Sequence, residues 1–319
     1  MMKVVIVGPG AMGCLLGSFL AKLYGASGGP DDKLWLLEKS GERAARLIQS
    51  GIEIDGVCGS WRSRIKVTAS PAEIGRADLV IICVKAYHTR DAVTQARVLV
   101  DESTRVLTMQ NGIGNIEIIS ELVGQDKVIG GITSHGATLL GHGRIRHAGK
   151  GETVIGRLDG KIPVELRQIR ELFNKAGIQT RISRDIKGLL WSKLIVNVGI
   201  NALSAVTRLN NGRLLEFETT RRVMREAVTE AIRIAKRKRI KLIYDDPLAK
   251  VETVCEATGE NISSMLQDIL NKKRTEIDFI NGVIVRQAQE LGVAVPVNSV
   301  LVDLVKTLEQ NQERFLSQS

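Results

Sequence analysis

The sequence predicts an α/β fold in two parts, a parallel sheet wrapped by helices followed by an all-helical region. Three observations carry this. Short apolar runs alternate with helical stretches from the start to about residue 183, a glycine hexapeptide follows the first run directly, and past Arg184 the strand signals stop. The shift in pattern sets a boundary between 1–183 and 184–319. A length of 319 residues with 44% hydrophobic content suffices for a core in each part.

Val4 to Val7 reads as the first strand. Ala11 to Tyr24 is the first helix, with Leu15, Leu16, Phe19, Leu20 and Leu23 on one side, and a glycine-rich loop at 26–32 follows. Leu34 to Leu37 is the second strand. A hairpin fits residues 52–67, and further strands fit 79–84, 106–109 and 128–132; continuous apolarity at 79–84 suits a strand buried on both faces. The C-terminal part divides into amphipathic helices near 186–206, 216–240, 247–270, 275–291 and 297–315.

Composition narrows the function classes. The formal charge of +10 comes with only 3% aromatic residues, so the stacking platforms of a single-strand nucleic-acid binder are missing. An anionic small-molecule ligand, or simply a solvated basic surface, accounts for the charge. The basic run Lys236 to Lys241 reads as a solvated helix end, where cations are favoured. Cys14, Cys58, Cys83 and Cys255 are scattered with no metal-ligand spacing, and read as free thiols in a reducing compartment. With no signal-peptide pattern and no uninterrupted apolar run of roughly 18–20 residues, a cytoplasmic location away from membranes is expected.

The hexapeptide Gly8-Pro9-Gly10-Ala11-Met12-Gly13 matches G-x-G-x-x-G between a strand and a helix. The first glycine permits the tight turn, the second lets backbone approach a pyrophosphate, and the third lets helix pack on strand, with the phosphates at the positive helix end. Dinucleotide binding is therefore expected. At the end of the second strand, Glu38 suits an unphosphorylated ribose and Lys39 a 2′-phosphate, so the pair leaves NAD and NADP both open. Lys85 is a second candidate for the adenosine-side phosphate, or an ordinary surface lysine.

Lys193, Asn197 and Asn201 fall at i, i+4 and i+8 of an otherwise apolar helix. An ammonium and two amides on a buried helix cost several kcal/mol unless they meet partners or line a polar site. A snorkelling lysine with two core amides is the plainer alternative. Burial would lower the lysine pKa and make it a better proton donor. Asn261, Ser264 and Asp268 share one face of a later predicted helix, and Glu276 reads either as the partner of a catalytic lysine or cofactor hydroxyl, or as half of an exposed ion pair. Gln110-Asn111-Gly112 after a strand is compatible with a plain turn.

Together, Asn111-Gly-Ile-Gly114, Leu190-Trp-Ser-Lys-Leu194 with Asn197 and Asn201, Glu260-Asn-Ile-Ser-Ser-Met-Leu-Gln-Asp268 and Arg274-Thr-Glu-Ile-Asp278 resemble the ketopantoate reductase (2-dehydropantoate 2-reductase) family over nearly the whole chain. The resemblance implies an N-terminal Rossmann dinucleotide-binding domain and a C-terminal helical domain similar to that of 6-phosphogluconate dehydrogenase. It implies NADPH-dependent reduction of ketopantoate in pantothenate synthesis, with reaction in the cleft between domains. By motif, Lys193 donates the proton, Asn111 touches nicotinamide and substrate, Glu276 lies at the nicotinamide end and orients the lysine, and Ala137 offers a backbone contact to the cofactor. Asn197, Asn201, Asn211 and Ser264 match substrate contacts, Ser264 at the carboxylate; His135 is left as structural.

Two positions depart from the family pattern. Glu38 precedes Lys39, where relatives place Arg after a neutral residue, so NADP(H) is expected with NAD(H) not excluded; Gln110 stands where a histidine is usual. A reductase of another small 2-oxo acid and a non-catalytic nicotinamide sensor are the competing functions. The partners expected are a keto-acid substrate and, as one option, a second copy in a homodimer, with no nucleic acid, membrane or metal.

Overall fold

The computed structural model describes residues 1–24 and 32–311. The loop singled out at 26–32 thus lies, apart from Asp32, outside the described residues, as do 312–315 of the last predicted helix. The chain forms two compact units, one of residues 1–110 and 115–186, the other of 111–114 and 187–319.

Unit 1 contains, in order, β1 (Val4–Val7), α1 (Ala11–Tyr24), β2 (Leu34–Leu37), α2 (Gly41–Ser50), β3 (Ile52–Gly56), β4 (Trp61–Ser63), β5 (Lys66–Thr68), β6 (Leu79–Ile82), α3 (Thr89–Ala96), β7 (Arg105–Thr108), α4 (Asn115–Val123), β8 (Val128–Thr133), β9 (Gly136–Gly141), β10 (Arg144–Gly149), β11 (Thr153–Gly156), α5 (Val164–Lys175) and β12 (Thr180–Ile182). Eight strands form one sheet in the order β12-β11-β8-β7-β6-β1-β2-β5. The neighbours from β7 to β5 run parallel, and β11 against β8 is antiparallel. Val4–Val7 and Leu79–Ile82 are buried at every position, as strands covered on both faces must be. Leu15, Leu16, Phe19 and Leu20 of α1 and Phe173 of α5 belong to the core that also holds Ile6, Leu36 and Ile81.

A second sheet, β4-β3-β10-β9, corrects the predicted hairpin at 52–67. Only Ile52–Gly56 and Trp61–Ser63 pair antiparallel, whereas Lys66–Thr68 joins the large sheet beside β2. A strand of three residues gives too few alternating positions for its sheet to be read from pattern alone. The run at 79–84 stops pairing as a strand at Ile82.

Unit 2 comprises α6 (Ile186–Thr207), α7 (Glu218–Arg237), α8 (Pro247–Ala257), α9 (Ser264–Leu270), α10 (Asn281–Leu291) and α11 (Pro296–Gln310). Ile195 and Val198 of α6, Val228 of α7, Val251 of α8, Ile284 of α10 and Val305 of α11 share one core. Among the described residues α6 alone has the length and apolarity of a membrane span, but 72% of that window is buried inside the protein, as in a core helix. The helix expected over 247–270 is two: Thr258 and Gly259 end the first, and the Ser263 hydroxyl caps the second by accepting from Leu266 N at 3.1 Å. Asn261 therefore lies before α9 and not on one helical face with Ser264 and Asp268. Likewise, the helix expected from 275 begins at Asn281, after a single tight turn at Ile277–Phe279.

His135, just before β9, meets His147 of β10, with Nδ1 of the first 2.9 Å from Nε2 of the second and both rings against Phe19. Loss of water, then the neighbouring His147 and Lys150, push His135 down to about 4, and burial lowers His147 too. The unfolded chain takes up the His135 proton near 6.5 and the folded chain only near 4, so acid favours unfolding. The melting temperature should therefore fall progressively from about pH 6.5 toward 4, and His135→Phe should make that decline shallower in calorimetric scans across the same window.

Candidate functional site

Three strand ends in unit 1 gather the residues expected at a nucleotide. β1 lies between β2 and β6 in parallel register, Val7 opposite both Leu37 and Ile82, so the chain leaves all three strands at one edge. The order reverses there, since β1 leads to β2 on one side and β6 lies on the other, and such a switch point leaves a crevice for ligands. Gly8 follows β1, Glu38 and Lys39 follow β2, and Lys85 follows β6 at half-buried exposure.

The glycine loop is shaped as a cradle. Gly8 has φ +89°, and a Cβ there would come within 2.5 Å of Val84 Cγ1. A Cβ at Gly13 would lie 2.3 Å from Gly8 O, whereas one at Gly10 would meet nothing within 4 Å. The first and third glycines thus permit close approach of loop, helix and β6, and the second leaves an open face toward the start of α1. Pro9, Ala11 and Met12 complete the turn, and Pro9 O accepts from Cys14 Sγ at 3.2 Å. These residues fit a dinucleotide pyrophosphate by shape and by the partial positive charge of the helix end.

Glu38 is buried and turned inward. Its carboxylate accepts from Ser40 N at 3.2 Å and faces Arg43 at 3.3 Å, while Lys39 is exposed. Arg43 was not foreseen; the signal was an arginine in the first turn of the helix after the acidic residue. Ala137 lies half-buried on β9 opposite His147, in the sheet that packs on α1. Gln110, in the place of the family's histidine, is buried with its amide donating to Val84 O at 2.9 Å and Thr89 Oγ1 at 2.7 Å.

Unit 2 assembles the other candidates. Lys193, Asn197 and Asn201 lie on the continuous helix α6, the first two half-buried and the third buried. Loss of water pulls Lys193 down to about 8, and the charge of Glu276, itself buried, opposes that fall. Burial of Glu276 excludes the exposed ion pair of its two readings. Asn111 sits in the 111–114 segment, which docks on the turn before α10: Ile113 N donates to Phe279 O at 3.1 Å, and Gly112, at φ +82°, packs where a Cβ would be 2.5 Å from that oxygen.

Asn211 is buried, with its amide donating to Thr258 Oγ1 at 2.9 Å and its Oδ1 lacking any partner. Ser264 is exposed at the first turn of α9, whereas its neighbour Ser263 is buried with its hydroxyl 3.5 Å from Asn201 O. Thr258 and Ser263, which support Asn211 and Asn201, were missed because only the packing of α8 and α9 shows them.

Two family models match the chain: "Ketopantoate reductase PanE/ApbA" over residues 4–160 and "Ketopantoate reductase PanE/ApbA C terminal" over 185–309. A 2-dehydropantoate 2-reductase of Halobacterium salinarum is 35% identical over 311 residues, 97% of this chain and 100% of the relative. Among solved structures, a PanE/ApbA family ketopantoate reductase from Ralstonia eutropha JMP134 superposes with a TM-score of 0.88 at 32% identity, covering 98% of this chain and 100% of that one. A D-mandelate dehydrogenase, solved with NADH and anilino(oxo)acetate, gives 0.90 at 26% identity, covering 98% and 100%.

Gly112→Ala would force a positive φ on a residue with a Cβ and push Phe279 away. A loss of roughly 1–3 kcal/mol is expected in urea titrations. An unchanged midpoint would mean that the 111–114 segment does not depend on this contact.

Proposed function

The chain belongs to the ketopantoate reductase family, and on that premise we propose that it reduces 2-dehydropantoate to pantoate, the reductive step toward pantothenate, with NADPH. The observation that carries the reading is Lys193, a lysine of depressed pKa on a polar stripe, with Glu276 acting on its charge.

Gly8 to Gly13 would hold the dinucleotide, which would supply the hydride for the ketone carbon. The remaining work falls to side chains. As negative charge builds on the ketone oxygen, the Lys193 ammonium stabilises it and then gives up a proton, leaving a secondary alcohol. A pKa of about 8 keeps most of the lysine protonated at neutral pH while making it a readier donor than an ordinary lysine. Glu276 keeps that value from falling further. Asn197, Asn201 and Ser264 supply neutral donors for the carboxylate, which avoids burying another charge. Asn211 Oδ1 is suited to accept from a substrate hydroxyl, and Asn111 to contact both cofactor and substrate.

NADP preference is supported by charge. Arg43 offsets Glu38, and Lys39 adds a second exposed cation beside the end of β2. A reductase of another 2-oxo acid is the second reading, favoured by the superposition on the mandelate dehydrogenase bound to NADH.

The test follows NADPH and NADH oxidation with ketopantoate, pyruvate and 2-ketoisovalerate. Selective turnover of ketopantoate supports the proposal, turnover of a different keto acid moves it to the second reading, and cofactor binding without turnover favours a sensor. Lys193→Ala should lower kcat by about 10²–10⁴ with cofactor affinity, read by fluorescence titration, unchanged. In the wild type, kcat should fall as pH rises through about 8, because the donor loses its proton there. Lys39→Ala should raise KM for NADPH by about five- to tenfold and leave that for NADH nearly unchanged, since only the former has a 2′-phosphate to bind. An equal change for both would remove Lys39 from the phosphate site.

A further inference from the structure

Behind Glu276 lies a buried polar network that none of the site roles uses. Asn281, the first residue of α10, and Asn298, in the first turn of α11, are both fully buried, and Glu230 of α7 is nearly so. The Glu230 carboxylate accepts from Val297 N at 2.9 Å, from Asn298 N at 2.9 Å and from Asn298 Nδ2 at 2.7 Å. Asn298 Nδ2 also donates to Ala227 O at 2.9 Å. That fixes Asn298 Oδ1 as an acceptor for Asn281 Nδ2 at 3.0 Å, and the second amide hydrogen of Asn281 reaches Val198 O, on α6, at 3.2 Å.

Val198 follows Asn197 and stands five residues from Lys193; Asn281 stands five residues after Glu276. The link therefore ties the helix that carries the lysine to the segment that carries its carboxylate. The intervening residues give little slack, because Phe279 N donates to Glu276 O at 3.0 Å and Ile280 N to Ile277 O at 3.2 Å. At the other end, Thr275 N is held by the Glu309 carboxylate at 2.6 Å and Ile277 N by Thr275 Oγ1 at 3.2 Å. Phe279 O, in the same segment, receives the 111–114 loop.

We infer that Asn281 is a positioning residue, which, anchored by Glu230 and Asn298, holds the 276–280 segment so that the Glu276 charge keeps its place relative to the Lys193 helix. The inference rests on the proposed reduction only for its kinetic consequences. The cost of the arrangement is visible in the structure, since Asn281 Oδ1 is buried without a partner. An aliphatic side chain of similar size would fill the space without that penalty but would supply neither hydrogen bond, so the amide is accounted for by what it ties together.

The experiment compares Asn281→Leu with wild type by the pH dependence of Lys193 reactivity toward an amine reagent, read by peptide mass spectrometry on the full chain without cofactor. Drift of Glu276 would remove the charge that supports the lysine proton. The apparent pKa of Lys193 should fall by about half a unit or more. The alkaline limb of kcat should move with it, while KM for the keto acid changes less than roughly twofold. Val228→Ala, a cavity in the same core on α7, should lower the melting temperature without moving the lysine. Asn281→Ser, which keeps one short donor, serves where the leucine variant does not fold and should shift the lysine less. Folded Asn281 variants with a lowered melting point and a wild-type Lys193 pKa would overturn the inference. A shifted lysine in an enzyme that reduces no keto acid would support the positioning role and sink the proposed reaction.

Discussion

An ammonium on an apolar helix is the constraint from which most of unit 2 follows. α6 is buried along most of its length, and burial there lowers the pKa of Lys193. Such a charge is tolerated where a counter-charge stands close and some access to solvent remains. Glu276 supplies the first and the half-buried position of Lys193 the second. The segment that carries this carboxylate, residues 275–281, is tied at both ends and also receives the 111–114 loop. Segments near 111, 193 and 276 are thereby drawn to one place although the sequence separates them widely.

Local signals made a good part of this legible. G-x-G-x-x-G depends on glycine at fixed offsets, and the steric demands at Gly8 and Gly13 are met by neighbours close in the chain or on the adjacent strand. The stripe of Lys193, Asn197 and Asn201 follows from helical period alone. What stayed hidden depends on distant partners. The β9–β10 pair carries Arg, Thr and Gly in place of a clean apolar alternation, and the 258–263 break between α8 and α9 is set by a cap that competes with an otherwise helical pattern. Glu276 illustrates the limit well: periodicity allowed a solvent-facing ion pair, and only its burial in the folded chain removes that reading.

The end of β2 adds an orientation that the residue types alone do not carry. Adjacent Glu38 and Lys39 look like opposed votes on a 2′-phosphate when both are imagined facing the ligand. In extended chain successive side chains point to opposite sides, and here Glu38 turns in toward Ser40 N and Arg43 while Lys39 stays in solvent. The acidic charge is largely spent on the turn into α2. On the proposed use of NADPH, the exposed Lys39 is the cation left to meet the 2′-phosphate, with Arg43 offsetting the charge of Glu38.

Two asparagine oxygens, on Asn211 and Asn281, are buried without partners, and their settings assign them different meanings. Each such group costs about 1–3 kcal/mol. Asn281 is fully enclosed among α6, α7, α10 and α11 and has both amide hydrogens in use, so its cost is permanent and is offset by the link it makes. Asn211 retains slight exposure, lies beside the break between α8 and α9, and is fixed by its own backbone bond to Asn261 O and by Thr258. Its oxygen is thus held in place before any ligand arrives. On the proposed function, a keto acid bearing a hydroxyl recovers the cost by donating to that oxygen, whereas one without it leaves the group unpaired. A site that presents a fixed, unpaired acceptor rejects the analogue lacking the donor far more strongly than an apolar wall rejects a missing methylene. On that proposal, selectivity among small 2-oxo acids draws on a hydrogen bond left open in the free protein.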